Sequence, residues 1–261
     1  MSAFEWPRRG PLMLPLPYSP ALNCILYGLF VLEWVLLAGG LLFGKLNEEQ
    51  TCRLPRSLRL LLSAIIVLAA LLQWQVGAKG SPLQTYAALI FLGMASGFAG
   101  DLIMARIIPV PSRLIFGMIA FGVGHLLYIA AFWQLICKSP PIGTWTLVVA
   151  PGAVLGFCLW AWYALVRNPN EGKAINLGSL LYGLLFGVTS ALAITLAVYD
   201  AHYIALALGA LLFMASDLIL GNWVIRGHTW RSVNDVIWVT YASGQLLIVC
   251  SIAAALNVWG G

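Results

Sequence analysis

Charge is what this chain has least of. Asp, Glu, Lys and Arg make up 9% of its 261 residues, against 61% apolar side chains. Soluble domains carry roughly 25% charged residues, so this sequence cannot furnish a water-facing surface of ordinary size. Histidine is scarcer still. Only His125, His202 and His228 occur, and the last two fall at the edges of apolar runs on opposite sides, so a three-histidine zinc shell cannot be assembled. No HExxH, no GxSxG elbow and no phosphate-cradling glycine loop is present, which disfavours zinc-protease, serine-nucleophile and nucleotide chemistry. Nor is there a long polar stretch. The longest connection between apolar runs, Lys45 to Arg56, is too short to bury a core of its own.

What is present is lipid-soluble. A hydrocarbon layer of roughly 30 Å takes about 20 apolar residues per helix. Eight such runs fill the chain: Ala21 to Gly44, Ser57 to Val76, Gln84 to Ala105, Ser112 to Ile136, Thr144 to Val166, Leu177 to Val198, His202 to Trp223 and Asp235 to Leu256. The expected architecture is an all-α, polytopic transmembrane bundle of about eight helices. Residues 1–20 would lie outside the membrane and residues 21–261 would form one transmembrane domain. Prolines at 7, 11, 15, 17 and 20 break up the N-terminal segment, so the first span is expected to act as its own insertion signal.

The net charge of +5 is spread as single residues between spans, a pattern that speaks for topology and against nucleic acid. Lys45, Arg53, Arg56, Arg59, Arg106, Arg113, Arg167, Lys173, Arg226 and Arg231 flank odd-numbered loops, and only Arg8, Arg9, Lys79 and Lys138 lie on the other side. The positive-inside rule then places the odd loops in the cytoplasm and both termini outside, as in a bacterial inner-membrane protein. The five cysteines, Cys24, Cys52, Cys137, Cys158 and Cys250, show no CxxC pairing and are expected to be free thiols.

Part of the sequence is echoed. Gly93 precedes Asp101-Leu102-Ile103 by eight residues in the third run, and Gly209 precedes Asp217-Leu218-Ile219 by eight in the seventh. The next runs carry Gly124-His125-Leu126-Leu127 and Gly244-Gln245-Leu246-Leu247. Copies four helices apart share one orientation, so the echo fits two parallel four-helix repeats about an axis along the membrane normal. Chance matching in a sequence rich in Leu, Ala and Gly is the alternative.

An ionisable group inside a span costs ~2.5 to 3.5 kcal/mol on insertion scales and needs a reason to be there. Glu33, Asp101, His125 and Asp217 are the clear cases. Counted at 1.5 Å per residue from the odd-loop side, Asp101 lies ~6 Å deep, Tyr182 ~8 Å, and Asp217 and Tyr241 ~9 Å. Gln245 lies ~15 Å deep, Glu33 ~16 Å and His125 ~20 Å, which lets Glu33 and His125 pair with each other. Two carboxyl groups at one level in apolar surroundings cannot both ionise cheaply. They are expected to hold one proton jointly, leaving one acid and one carboxylate. That is the equipment of an acid-base hydrolase, and equally of a proton relay in a carrier.

These blocks resemble the YhhN family of membrane proteins, whose animal members are lysoplasmalogenases. The likeness rests on Gly100-Asp101, on Gly117-Met118-Ile119-Ala120-Phe121 leading into Gly124-His125-Leu126-Leu127-Tyr128, and on Tyr182-Gly183. It continues through Gly209-Ala210-Leu211-Leu212-Phe213, Ser216-Asp217, Thr240-Tyr241 and Gln245-Leu246-Leu247-Ile248. The sequence departs from the animal pattern at Ala242, where those members tend to have a second tyrosine, and in a longer stretch around Arg106 to Arg113.

The resemblance implies hydrolysis of the vinyl ether bond of a lysoplasmalogen, releasing a fatty aldehyde and a glycerophosphoethanolamine or glycerophosphocholine, without a cofactor. It puts catalysis on Asp101 and Asp217. His125, Tyr128, Tyr182, Tyr241 and Gln245 would bind substrate, and Arg113, Arg106, Arg226 or Arg231 would meet the phosphate. The partners implied are a lysophospholipid and the surrounding membrane lipids.

Overall fold

The computed structural model of the chain describes residues 16–139 and 143–259. The prolines and arginines of the first fifteen residues lie outside them.

Eight helices carry the fold: α1 (Pro20–Phe43), α2 (Arg56–Leu72), α3 (Gln84–Met104), α4 (Arg113–Lys138), α5 (Thr144–Ala161), α6 (Lys173–Tyr199), α7 (Ile204–Val224) and α8 (Val233–Trp259). A π-helical turn extends α2 through Gln73–Gly77 and another extends α5 through Trp162–Val166, while a 3₁₀ turn, Ala201–Tyr203, leads into α7. Each of the eight is long and apolar enough to cross a membrane, so this is an integral membrane protein. No strand occurs among the described residues.

The ends are set by local chemistry. Ser19 caps α1 by accepting from the Leu22 amide, with Pro20 in the first turn, where its missing N–H is no loss. Ser112 does the same for α4 through Ile115. Asp200 turns the chain between α6 and α7 by accepting from the His202 amide at 2.9 Å.

Helices in lipid gain little from hiding apolar surface, because lipid tails are as apolar as Leu; close packing and interhelical hydrogen bonds hold them together. Glycine supplies the closeness here. α3 crosses α4 where a Cβ on Gly124 would stand 2.9 Å from the Gly93 carbonyl oxygen. α7 crosses α8 in the same manner, a Cβ on Gly209 or Gly244 coming within 2.8 Å of the other's carbonyl oxygen. These are the glycines of the sequence echo, so the echo is a repeated way of crossing two helices. α8 is the most enclosed span, with 72% of its apolar window buried, against 17% for α1 and 11% for α5 at the periphery.

The α1–α2 loop is strapped to the start of α8. The Arg53 amide donates to Asp235 Oδ1 at 2.6 Å and its guanidinium meets Oδ2 at 3.0 Å. Backbone bonds from Ser232 to Gln50 and from Asn234 to Thr51, both 2.9 Å, complete the strap. It fixes one wall of the opening described next.

Candidate active site

A cavity of about 400 Å³ enters the bundle from the face formed by the α1–α2, α3–α4 and α7–α8 loops. Asp101 of α3 and Asp217 of α7 both line it, with Phe121, Ser216, Trp238 and Tyr241 nearby and Arg56, Arg59, Arg106, Arg113 and Glu49 toward the mouth. Both aspartates are nearly enclosed, 7% and 8% exposed.

Each has its own set of partners. Asp101 Oδ2 accepts from Ser63 Oγ of α2 at 2.5 Å and from the Tyr241 phenol of α8 at 2.8 Å. Asp217 Oδ2 accepts from the Tyr182 phenol of α6 at 2.6 Å, and His125 Nε2 of α4 stands 3.6 Å away. The scheme is reciprocal. In both halves the aspartate takes a hydroxyl from the helix before it and is faced by the second helix of the other glycine-crossed hairpin. Two parallel repeats facing a common axis would produce this exchange. No hydrogen bond joins the two carboxyl groups among the described residues.

His125 is held on its other side. Its Nδ1 lies 3.1 Å from Thr189 Oγ1, and that hydroxyl already donates to the Leu185 carbonyl at 3.0 Å. The threonine therefore offers only a lone pair, so Nδ1 carries a ring proton and Nε2 is the nitrogen turned to Asp217. Phe213 stacks against the imidazole at a centroid distance of 4.7 Å, fixing its plane.

The other residues singled out from sequence divide. Tyr182 and Tyr241 touch the aspartates directly, and Arg106 and Arg113 line the mouth. Tyr128 and Gln245 form a buried pair at 2.7 Å that reaches the site by way of Gly97, whose hydrogen points at Gln245 Nε2 and the Tyr241 hydroxyl. Neither lines the cavity. Arg226 is spent on the Ala164 carbonyl, and Arg231 lies outside the lining too. Glu33 does not pair with His125: α1 packs on α2 and α8, away from α4, and neither carboxyl oxygen of Glu33 has a partner.

Three contributors went unseen in the sequence: Ser63, Thr189 and Arg59. A signal for Ser63 existed, since Ser179 repeats it at the 116-residue spacing that separates Asp101 from Asp217. In the second copy Tyr182, one turn on from Ser179, takes over the bond to aspartate.

A second cavity of about 50 Å³ reaches Asp217 from the other direction, between α4, α6 and α7, lined by Leu114, Met118, Phe186 and Leu218 among others. Asp217 thus stands where an arginine-edged cavity meets an apolar slot. Among the described residues no group of three His, Cys, Asp or Glu side chains is placed to hold a metal ion, and all five cysteines are free.

The sequence model of the YhhN family matches residues 58–252, well over half of the chain and every residue that touches the two aspartates. The chain belongs to the YhhN family. No curated protein and no solved structure matches it. In this YhhN protein the matched region begins inside α2, so the strap between the α1–α2 loop and α8 draws one of its two sides from outside the family match.

Proposed function

We propose that this YhhN protein is a membrane hydrolase that cleaves the vinyl ether bond of a single-chain, phosphate-bearing lipid, with Asp101 and Asp217 as its acid-base pair. The observation that carries the reading is that two buried carboxyl groups, each with its own hydroxyl donors, stand on the wall of one cavity. The adjoining slot is apolar and touches Asp217, which suits the first carbons of an amphiphile's chain. The chain would leave the site toward Leu114 and Phe186, with the head in the arginine-edged mouth.

A vinyl ether needs an acid and an oriented water. Protonation of the alkene carbon distal to oxygen gives an oxocarbenium ion. Water adds to the carbon bonded to oxygen and loses a proton, and the resulting hemiacetal collapses to an aldehyde and the glycerol alcohol. Asp217 is assigned the proton donor, because His125 Nε2 faces it and can relay a replacement proton. Asp101, accepting from two hydroxyls, is assigned the carboxylate that stabilises the cation and takes the proton of the attacking water.

The test is aldehyde release by purified protein in detergent, followed by mass detection over a panel of alkenyl lysophospholipids. Wild type is expected to liberate aldehyde with no membrane gradient, and Asp101→Asn and Asp217→Asn to lose more than a hundredfold while staying folded. A carrier using the same aspartates as a proton relay would need two compartments and would yield no aldehyde.

A further inference from the structure

The mouth of the larger cavity is basic, but its arginines are not equivalent. Arg56 is turned to the Ala105 carbonyl, 3.3 Å away. Arg59 has no carboxylate within 4 Å among the described residues, and its buried Nε has no hydrogen-bond partner. Its guanidinium lies over the Trp238 ring, 5.6 Å from the centroid, which fixes the flat face and leaves the N–H edge for a ligand.

The position of Arg59 gives the site a length. Ser63, the donor to Asp101, is four residues further along α2, on the same face and ~6 Å deeper. On α8 the same two levels recur, Trp238 under Arg59 and Tyr241 on Asp101, ~4.5 Å apart along the helix. The residues that carry the cationic level and the carboxyl level are therefore about one helical turn apart along both helices. In a glycerophospholipid with a single chain at the terminal carbon, five single bonds separate phosphorus from the ether oxygen. That is ~6 Å when extended, at the ~3.6 Å per three bonds of an extended chain.

We propose that Arg59 is the phosphate receptor of this site and that its one-turn offset from Asp101 selects lipids whose labile bond lies one glycerol unit from a phosphodiester. The proposal rests on the hydrolase reading for what occupies the carboxyl level, but the binding it requires does not depend on turnover. Free phosphate would satisfy the cationic level alone, and a two-chain lipid would crowd the slot beside Asp217.

The experiment measures binding to purified protein in detergent. One ligand is a 1-O-alkyl-glycerophosphoethanolamine, whose saturated ether offers no alkene to protonate. The second is the 1-O-alkylglycerol of equal chain length, which lacks the phosphate. Wild type is expected to bind the phosphate-bearing lipid roughly tenfold to a hundredfold more tightly, as charge-assisted hydrogen bonds allow. Arg59→Gln is expected to erase that preference without altering affinity for the alkylglycerol, and Arg59→Lys to keep part of it.

An undiminished preference in Arg59→Gln overturns the receptor assignment and leaves the hydrolase reading intact. Equal loss of both ligands shows a structural role and also overturns it. Competition by inorganic phosphate or by a two-chain phosphatidylethanolamine, as strong as that of the single-chain lipid, removes the length selection. Arg59-dependent binding without aldehyde release from the alkenyl counterpart overturns the hydrolase instead.

Discussion

The Tyr241 phenol donates to Asp101 Oδ2 across 2.8 Å, tying the last helix of the bundle to the third. Its ring is already fixed by other contacts, edge-on to Phe121 at 6.2 Å, Phe213 at 5.5 Å and Trp238 at 5.3 Å. The hydroxyl and the ring can therefore be separated by mutation.

Tyr241→Phe keeps the packing and removes one of the two donors to Asp101. The echo supplies a precedent, since Phe121 occupies the corresponding place in the first copy, three residues before its glycine. Aldehyde release is expected to fall about tenfold, the worth of ~1.4 kcal/mol in a barrier, with the melting temperature in detergent nearly unchanged. Ser63→Ala should act alike. The double variant should lose less than the product of the two losses, because both donors serve one oxygen. Unchanged turnover in both single variants would detach Asp101 from its hydroxyls as a functional unit.

His125 is tested through the residue behind it. Thr189→Val removes the acceptor of the Nδ1 proton in a side chain of the same shape, while Thr189→Ser retains it. Turnover of the valine variant is expected to drop roughly tenfold, the loss of about one buried hydrogen bond, with the serine variant near wild type. A valine variant as active as the serine variant would show that the ring's orientation does not depend on Thr189.

The spans were legible because hydropathy in lipid is a one-dimensional signal: eight apolar runs became eight helices, with ends moved by a few residues. Asp101 and Asp217 were legible because a lone carboxyl in a span stands out against such a background. Ser63 and Thr189 were not. A membrane serine or threonine most often bonds its own helix, as Thr195 does to Ala191 and Thr240 to Val236, and no local pattern marks the one that reaches across. Glu33 shows the converse. Its residue type promised chemistry as strongly as the aspartates did, but its helix packs away from α4 and α7, which only the tertiary arrangement reveals.

The glycine crossings make a stability prediction with an internal control. Gly209→Ala or Gly244→Ala places a methyl 2.8 Å from a backbone carbonyl oxygen, so two helix backbones must separate. The expected loss is ~1 to 3 kcal/mol, as for overpacking in a tight core, read as a lower melting temperature in detergent. Gly28 of α1 has nothing within 4 Å of a built Cβ, and Gly28→Ala should gain ~1 kcal/mol from helix propensity. Equal effects at the three positions would deny that the echoed glycines are contact points.

Glu33 tests whether burial alone marks function. It is 1% exposed, and neither carboxyl oxygen has a hydrogen-bond partner. Such a group weakens the fold whichever protonation state it holds: a carboxylate lacks a counter-ion, and a carboxylic acid lacks an acceptor. Glu33→Leu should therefore stabilise the protein, by ~1 to 3 kcal/mol, the usual penalty of an unsatisfied buried polar group, while aldehyde release stays within twofold of wild type. A more stable but inactive variant would reverse this reading, because a residue that lowers stability yet is needed for turnover has to move protons or bind substrate from its place on α1.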